Sequence, residues 1–196
     1  MSTVSITYGF DPIERRTIGE LYWDAFGAKL GRLMGPDESA IVFLAANAHP
    51  NFAICARDTS GKLLGIAGFK TANGGLIGGD FANFKAIYGF WGSLWRAPLL
   101  SLLDRQIETS TFLMDGICVA SEARGQGIGT LLLDAIVETA RSTDATQIRL
   151  DVIDNNPRAR ALYERYGFVA AGTEDIGPLR HLFNFRTSTT MFLDIS

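Results

Sequence analysis

The sequence predicts a single domain of the α/β class, with a mixed central sheet flanked by helices. Apolar runs of strand type alternate with stripes at helical spacing in the order β-α-α-β-β-insert-β-α-β-α-β-β. At 196 residues the chain suits one domain, 1–196, with a sizeable core. A strand pattern at 111–119 runs into a helical pattern at 127–141 through a turn carrying three glycines, Gly125, Gly127 and Gly129.

Val4 to Tyr8 alternates and reads as the first strand. Asp11-Pro12 fits a helix cap followed by proline at the first helical position. The helix carries Leu21, Tyr22, Ala25, Phe26 and Leu30 as an apolar stripe, and Gly35-Pro36 breaks it. A shorter helix covers 37–47. Residues 52–57 and 63–69 are strands joined by the hairpin turn Asp58-Thr59-Ser60-Gly61-Lys62.

Residues 73–110 exceed what a hairpin needs. After glycine-rich turns, an aromatic helical stretch at about 81–110 carries Phe81, Phe84, Tyr88, Phe90, Trp91, Leu94 and Trp95, and Arg96 and Pro98 interrupt it. This is a helical insert between the third and fourth strands. The plain reading docks its apolar face on the domain. The functional reading has it roof a substrate pocket or form the contact of a homodimer. Strands follow at 111–119 and 147–153, with the 127–141 helix between them. A helix covers 157–166, with Gly167 as its left-handed cap. The last strands are 169–173 and 189–195.

Hydrophobic residues make up 47% and charged residues 20%, ordinary for a globular chain. The net charge of −3 and the absence of a basic patch argue against nucleic acid. No apolar run reaches membrane-spanning length, and the N-terminus lacks a signal-peptide pattern, so a cytoplasmic protein without a membrane partner is expected. Cys55 and Cys118 lie in apolar strands and read as buried thiols. His49 and His181 have no metal-ligand spacing, so no metal is expected.

The segment from Ile117 to Leu133 is the most informative. Glycines at a strand-to-helix turn expose unpaired helical N–H groups where the helix dipole is positive, and this makes a diphosphate site. The spacing Gly125-x-Gly127-x-Gly129 differs from the dinucleotide pattern G-x-G-x-x-G, and no Gly-Lys-Ser/Thr tripeptide of a P-loop occurs. Arg124-Gly125-Gln126-Gly127-Ile128-Gly129 resembles the R/Q-x-x-G-x-G/A signature of the GNAT acyltransferase superfamily. Residues 150–168 resemble that family's second signature, L-x-V-x-x-x-N-x-x-A-x-x-L-Y-x-x-x-G-F, with Leu150, Val152, Asn156, Ala159, Leu162, Tyr163, Gly167 and Phe168 in place. The resemblance is close over about 111–170.

The resemblance implies a mostly antiparallel sheet and an N-acetyltransferase that uses acetyl-CoA as cosubstrate and a small-molecule or peptide amine as acceptor. It implies cofactor contacts from Arg124 through Thr130 (Arg124, Gly125, Gln126, Gly127, Ile128, Gly129, Thr130), from Asn156, and from the backbone of Ile117, Cys118 and Val119 to the pantetheine arm. Arg124 and Asn156 also have structural readings, an exposed loop cation and a helix cap. Tyr163 is implied as general acid toward the thiolate, although a tyrosine packed on the inner helix face beside Ala159 is the plain alternative. Asp151 is the candidate base, on a strand whose Leu150 and Val152 point the other way. Some family members carry glutamate there. Asp115 and Glu122 are rival bases. Two other classes of reading compete with catalysis: a non-catalytic acyl-CoA-binding or sensor module on the same fold, and a nucleotide-binding interaction domain.

Overall fold

The computed structural model describes residues 3–101 and 110–196. In chain order the elements are β1 Ser5–Tyr8, α1 Arg15–Met34, α2 Asp37–Asn47, β2 Ala53–Arg57, β3 Leu63–Thr71, β4 Gly74–Gly75, α3 Phe81–Ser101, β5 Thr111–Val119, α4 Ile128–Arg141, β6 Gln147–Ile153, α5 Pro157–Tyr166, β7 Val169–Asp175, α6 Arg180–Phe183 and β8 Thr187–Asp194. The eight strands form one sheet in the order β1-β2-β3-β5-β6-β8-β7, with β4 paired to β3 off this path. Every pairing is antiparallel except β5 with β6.

The predicted N-terminal cap is present and doubled. The Asp11 side chain accepts from the Ile13 N–H at 2.9 Å, and the Glu14 carboxylate accepts from the Asp11 N–H at 2.8 Å. This closes a capping box ahead of α1. Glu14 also accepts from Arg57 of β2, through Nη1 and through Nη2, the latter at 2.8 Å, which ties the start of α1 to the sheet.

One sheet face carries α4. Leu132, Leu133 and Ile136 pack there on Phe112, Met114, Ile148, Leu150 and Val152. The opposite face carries α1 and α2, with Ile18, Ile66 and Cys118 in one cluster and Leu33, Phe43, Leu44, Phe84 and Phe183 in another. Both thiols are buried, as expected. Burial pushes the Cys55 thiol up to about 11 and the Cys118 thiol higher still.

The reading of residues 81–110 needs correction in two respects. A two-residue strand, β4, precedes the helix, so α3 lies between β4 and β5. The helix is broken at Gly89, with φ 69°, a conformation glycine adopts without steric cost; Arg96 and Pro98 lie within the helical span. Arg96 Nε donates to the Leu33 carbonyl at 2.5 Å, and its guanidinium lies over Tyr88 and Trp95. Residues 102–109, which the expected segment includes, lie outside the described residues. The inner face of α3 docks through Phe84, which stacks on Phe43 with centroids 4.2 Å apart, and through Tyr88, whose hydroxyl donates to the Met34 carbonyl at 2.6 Å. Its outer face leaves Phe81, Phe90, Trp91, Leu94 and Trp95 exposed.

β7 extends to Asp175, β8 runs over 187–194 rather than 189–195, and the short helix α6 between them was not anticipated. No helix among the described residues is long and apolar enough to cross a membrane.

Candidate active site

The site begins where β5 and β6 part. They pair only from Thr111 to Leu113 against Gln147 to Arg149. On its other side β5 continues beside β3 to Val119, with Asp115 as an extra residue between Met114, opposite Phe69, and Gly116, opposite Gly68. This bulge bends β5 away from β6. From Gly116 to Val119 the β6-facing edge of β5 therefore carries no partner strand among the described residues.

Beyond Val119, a helical turn at Ser121–Ala123 leads to the glycines and α4. Gly125 and Gly127 have φ of 75° and 81°, and a Cβ on either would meet nothing within 4 Å. They are glycines for backbone reasons, with open space above them. Gly129 differs, because a Cβ there would stand 2.9 Å from Leu162 Cδ2, so it allows close packing of α4 on α5. The first α4 bonds run from the Thr130 and Leu131 N–H groups to the Gly127 carbonyl, at 3.0 and 3.1 Å. No acceptor for the N–H groups of Gly125 to Gly129 is found among the described residues. These donors and the helix dipole make an anion cradle.

Around it, Ile128 is a core residue that offers only its backbone, and Thr130 is exposed. Arg124 Nε donates to the Val119 carbonyl at 3.0 Å, and Gln126 Nε2 to the Glu122 carbonyl at 3.1 Å. Both side chains are thus turned back along the loop. On the strand, Cys118 is buried and Ile117 and Val119 are half-buried.

α5 starts on Asn156, whose side chain accepts from the Ala159 N–H at 3.2 Å, and ends on Gly167 in the left-handed conformation. Both caps are as expected. Tyr163 lies on the inner face, 5% exposed, its ring 5.8 Å from Phe168. Burial first, and then the neighbouring Cys118, push its phenol above the ordinary range, so it stays protonated and can donate. Tyr22 of α1 is raised by burial and by its interaction with Asp115 and Cys118. Tyr22 packs in the cluster that holds Cys118, and Tyr163 in the one against which Ile117 and Val119 pack, so a phenol belongs to the core on each side of this part of β5.

A cavity of about 270 Å³ opens on the α1 face, lined by residues that include Lys29, Lys70, Asp115, Asp151, Glu174, Phe183 and Phe185. Leu150 and Val152 are buried on the α4 face, and Asp151 faces the opposite way into the cavity. The Thr190 hydroxyl donates to Asp151 Oδ1 at 2.5 Å, and Arg149 Nη2 stands 3.6 Å from Oδ2. Asp115 reaches the same cavity from the bulge. Glu122 does not line it: it is exposed in the loop and pairs with Lys62 at 3.0 Å. Its own backbone amide and Lys62 hold its carboxyl below the usual range.

The fold thus brings Asp151 and Asp115 together. Tyr163 is not in the cavity lining; it belongs to the α4-side core cluster, against which Ile117 and Val119 of β5 also pack. Sequence reasoning missed Tyr22, Phe26 and Lys29, which recur at helical spacing on α1, and the contributions of Phe183 of α6, Phe185 in the link to β8, and Ser188 of β8. The α1 stripe was visible, but a site wall and a core face share the same periodicity. No group of three or more His, Cys, Asp or Glu that could hold a metal occurs among the described residues.

The site thus combines a glycine turn with unbonded N–H groups, a bare strand edge and a lateral cavity. The sequence profile of the Acetyltransferase (GNAT) family matches residues 15–168, and the chain belongs to that family. It is 36% identical over 101 residues to thialysine N-epsilon-acetyltransferase of Bos taurus, a match covering 50% of this chain and 49% of the relative. It is 44% identical over 61 residues to 5-NmdU N-acetyltransferase of Pseudomonas phage PaMx11, covering 31% of this chain and 41% of the relative. These matches thus span about half the length of the curated relatives or less. Among solved structures, a putative acetyltransferase from Acinetobacter baylyi superposes with a TM-score of 0.64 at 16% identity, covering 99% of this chain and 93% of that one. A spermidine N-acetyltransferase from Vibrio cholerae superposes with a TM-score of 0.60 at 16% identity, over 98% of this chain and 94% of that one. These structural likenesses show the shared fold.

Proposed function

We propose that the protein is an acetyl-CoA-dependent N-acetyltransferase that acts on a small primary amine by direct attack. One observation carries this reading: the unbonded N–H groups at the start of α4, the bare edge of β5 and the Asp151 cavity follow one another along a single path. In this reading the diphosphate rests on the backbone of Gly125 to Thr130, and the pantetheine arm pairs with Ile117 to Val119. Arg124 and Gln126, which now bond to loop carbonyls, re-aim toward the phosphates. Asn156 adds a polar contact from the start of α5.

An alkyl ammonium has a pKa of about 10.4, so the free base costs roughly 4–5 kcal/mol at pH 7. Asp151 takes that proton, directly or through one water, and Thr190 and Arg149 hold the carboxylate in place. The amine nitrogen attacks the thioester carbonyl and forms the amide bond. As the C–S bond breaks, the nitrogen gives up its second proton to water and the departing thiolate takes a proton from the Tyr163 phenol; exchange with solvent then restores the phenol and returns Asp151 to its carboxylate. No covalent enzyme intermediate is needed when both reactants are held in attack geometry.

The cavity volume favours a small acceptor, and its carboxylates favour a cationic one. The names of thialysine and spermidine acetyltransferases among the similar proteins agree with an amine. Two buried, unpaired thiols support a reducing compartment such as the cytoplasm. The exposed aromatic face of α3, with Trp91 78% exposed, supports self-association into a homodimer. Release of free thiol from acetyl-CoA across a panel of small amines tests the activity. No release above the acceptor-free rate with any amine, despite tight CoA binding, would turn the assignment to a non-catalytic acyl-CoA sensor.

A further inference from the structure

Phe26 occupies an unusual position. A Cβ built on Gly116 would lie 2.6 Å from Phe26 Cζ, so the ring rests directly on the bare backbone of β5, one residue past the bulge. Tyr22, one helical turn earlier, holds this ring, with centroids 4.5 Å apart. Lys29, roughly one turn later, lines the cavity. The α1 stripe therefore runs beside β5, from Tyr22 near Cys118 and Asp115, through Phe26 on Gly116, to Lys29 in the cavity. Along α1, Phe26 falls between Tyr22, packed near Cys118 of the unpaired half of β5, and Lys29 in the cavity lining.

An arm that pairs with β5 backward from Val119 reaches Gly116 after three residues, about 10 Å at ~3.3 Å per residue. Its reactive end then lies beside Gly116, the residue on which the Phe26 ring rests. We propose that Phe26 is the acyl-length gate of the donor site, closing the space beyond the thioester carbonyl so that a two-carbon acyl group fits and longer chains do not. This rests on the acyl-CoA reading above and adds a specificity determinant to it. The gate is steric: Gly116 lets the ring approach the strand, Tyr22 stops it swinging along α1, and a longer acyl chain must displace an aromatic ring from packed contact.

Binding of CoA, acetyl-CoA and hexanoyl-CoA, measured by calorimetry without acceptor, tests the gate independently of turnover. The wild-type protein should bind acetyl-CoA at least about tenfold more tightly than hexanoyl-CoA, the range that a few methylenes command in a closed pocket. Phe26→Ala should bring hexanoyl-CoA to within about threefold of acetyl-CoA while leaving the affinity for CoA itself unchanged. Phe26→Leu, which keeps more of the packing, should fall between them, and it carries the test if the alanine variant does not fold by circular dichroism. Equal binding of both thioesters by the wild type, or an unchanged ratio in a folded variant, overturns the gate and leaves the acyltransferase reading intact. Failure of the wild type to bind CoA and acetyl-CoA overturns both.

Discussion

Leu162 of α5 lies so close to Gly129 of α4 that a methyl group on the glycine would stand 2.9 Å from Leu162 Cδ2. The three loop glycines therefore divide by role. Gly125 and Gly127 hold left-handed backbone under open space, whereas Gly129 lets two helices meet.

This division predicts distinct phenotypes. Gly129→Ala should keep CoA binding, because the flexible Leu162 tip yields, and should move stability by no more than about 1 kcal/mol as helix propensity offsets crowding. Gly127→Asp should abolish CoA-dependent stabilisation, because it adds negative charge where the proposed acyl-CoA reading seats the phosphates and strains a φ of 81°. Thermal melts with and without CoA at ~100 times its dissociation constant, where binding adds about 2.7 kcal/mol, separate the two. Retained stabilisation in the aspartate variant would make the loop a mere turn.

Tyr163→Phe removes one hydroxyl and keeps the buried ring in contact with Phe168. Turnover should fall about 10²–10⁴-fold, as for loss of a general acid, with CoA affinity nearly unchanged. A purely packed tyrosine would keep activity within a few-fold. Steady-state rates together with CoA titration distinguish these outcomes.

Asp151→Asn should slow transfer most below the amine's pKa and recover partly at high pH, where free amine no longer needs a base. It also weakens the hold on Arg149, whose side chain is 14% exposed, so a loss of stability should accompany it. Asp115→Asn is the natural comparison, since Asp115 shares the cavity. A pH–rate profile altered by the Asp115 change and not by the Asp151 change would move the base to the bulge.

Glu14 predicts an acid-sensitive joint between α1 and the sheet. The hydrogen bonds from Arg57 hold its carboxyl below the ordinary range. A group with a depressed folded-state pKa adds stability above its unfolded value, about 4.3, and that contribution is lost as pH falls through the folded value. Glu14→Gln should therefore cost on the order of 1–3 kcal/mol at pH 7 and flatten the loss of stability below about pH 4. Denaturant melts at pH 7 and pH 3.5 measure both effects, and an unchanged difference between the two pH values would assign the acid sensitivity elsewhere.

The sequence by itself determined the main elements and the anion cradle, because these depend on local rules. Alternation makes β6, helical spacing makes α4, Asp11 and Asn156 start helices with their own side chains, and glycines take the positive φ values at 125 and 127. The turn at Gly89 escaped this logic, because a lone glycine in an aromatic stripe does not announce which way it will bend. Tertiary structure alone decided the rest of the candidate site. Asp151, Asp115, Glu174 and Phe185 come from different strands, or the loop beside one, and meet only when the sheet assembles. The divergence of β5 from β6 depends on a bulge whose register is set by β3, a strand more than 40 residues earlier. The Phe26 ring on Gly116 joins a helix side chain to a strand backbone about 90 residues away. Periodicity reports which face of an element is apolar, but only the packed sheet decides whether that face meets the core or the wall of a site.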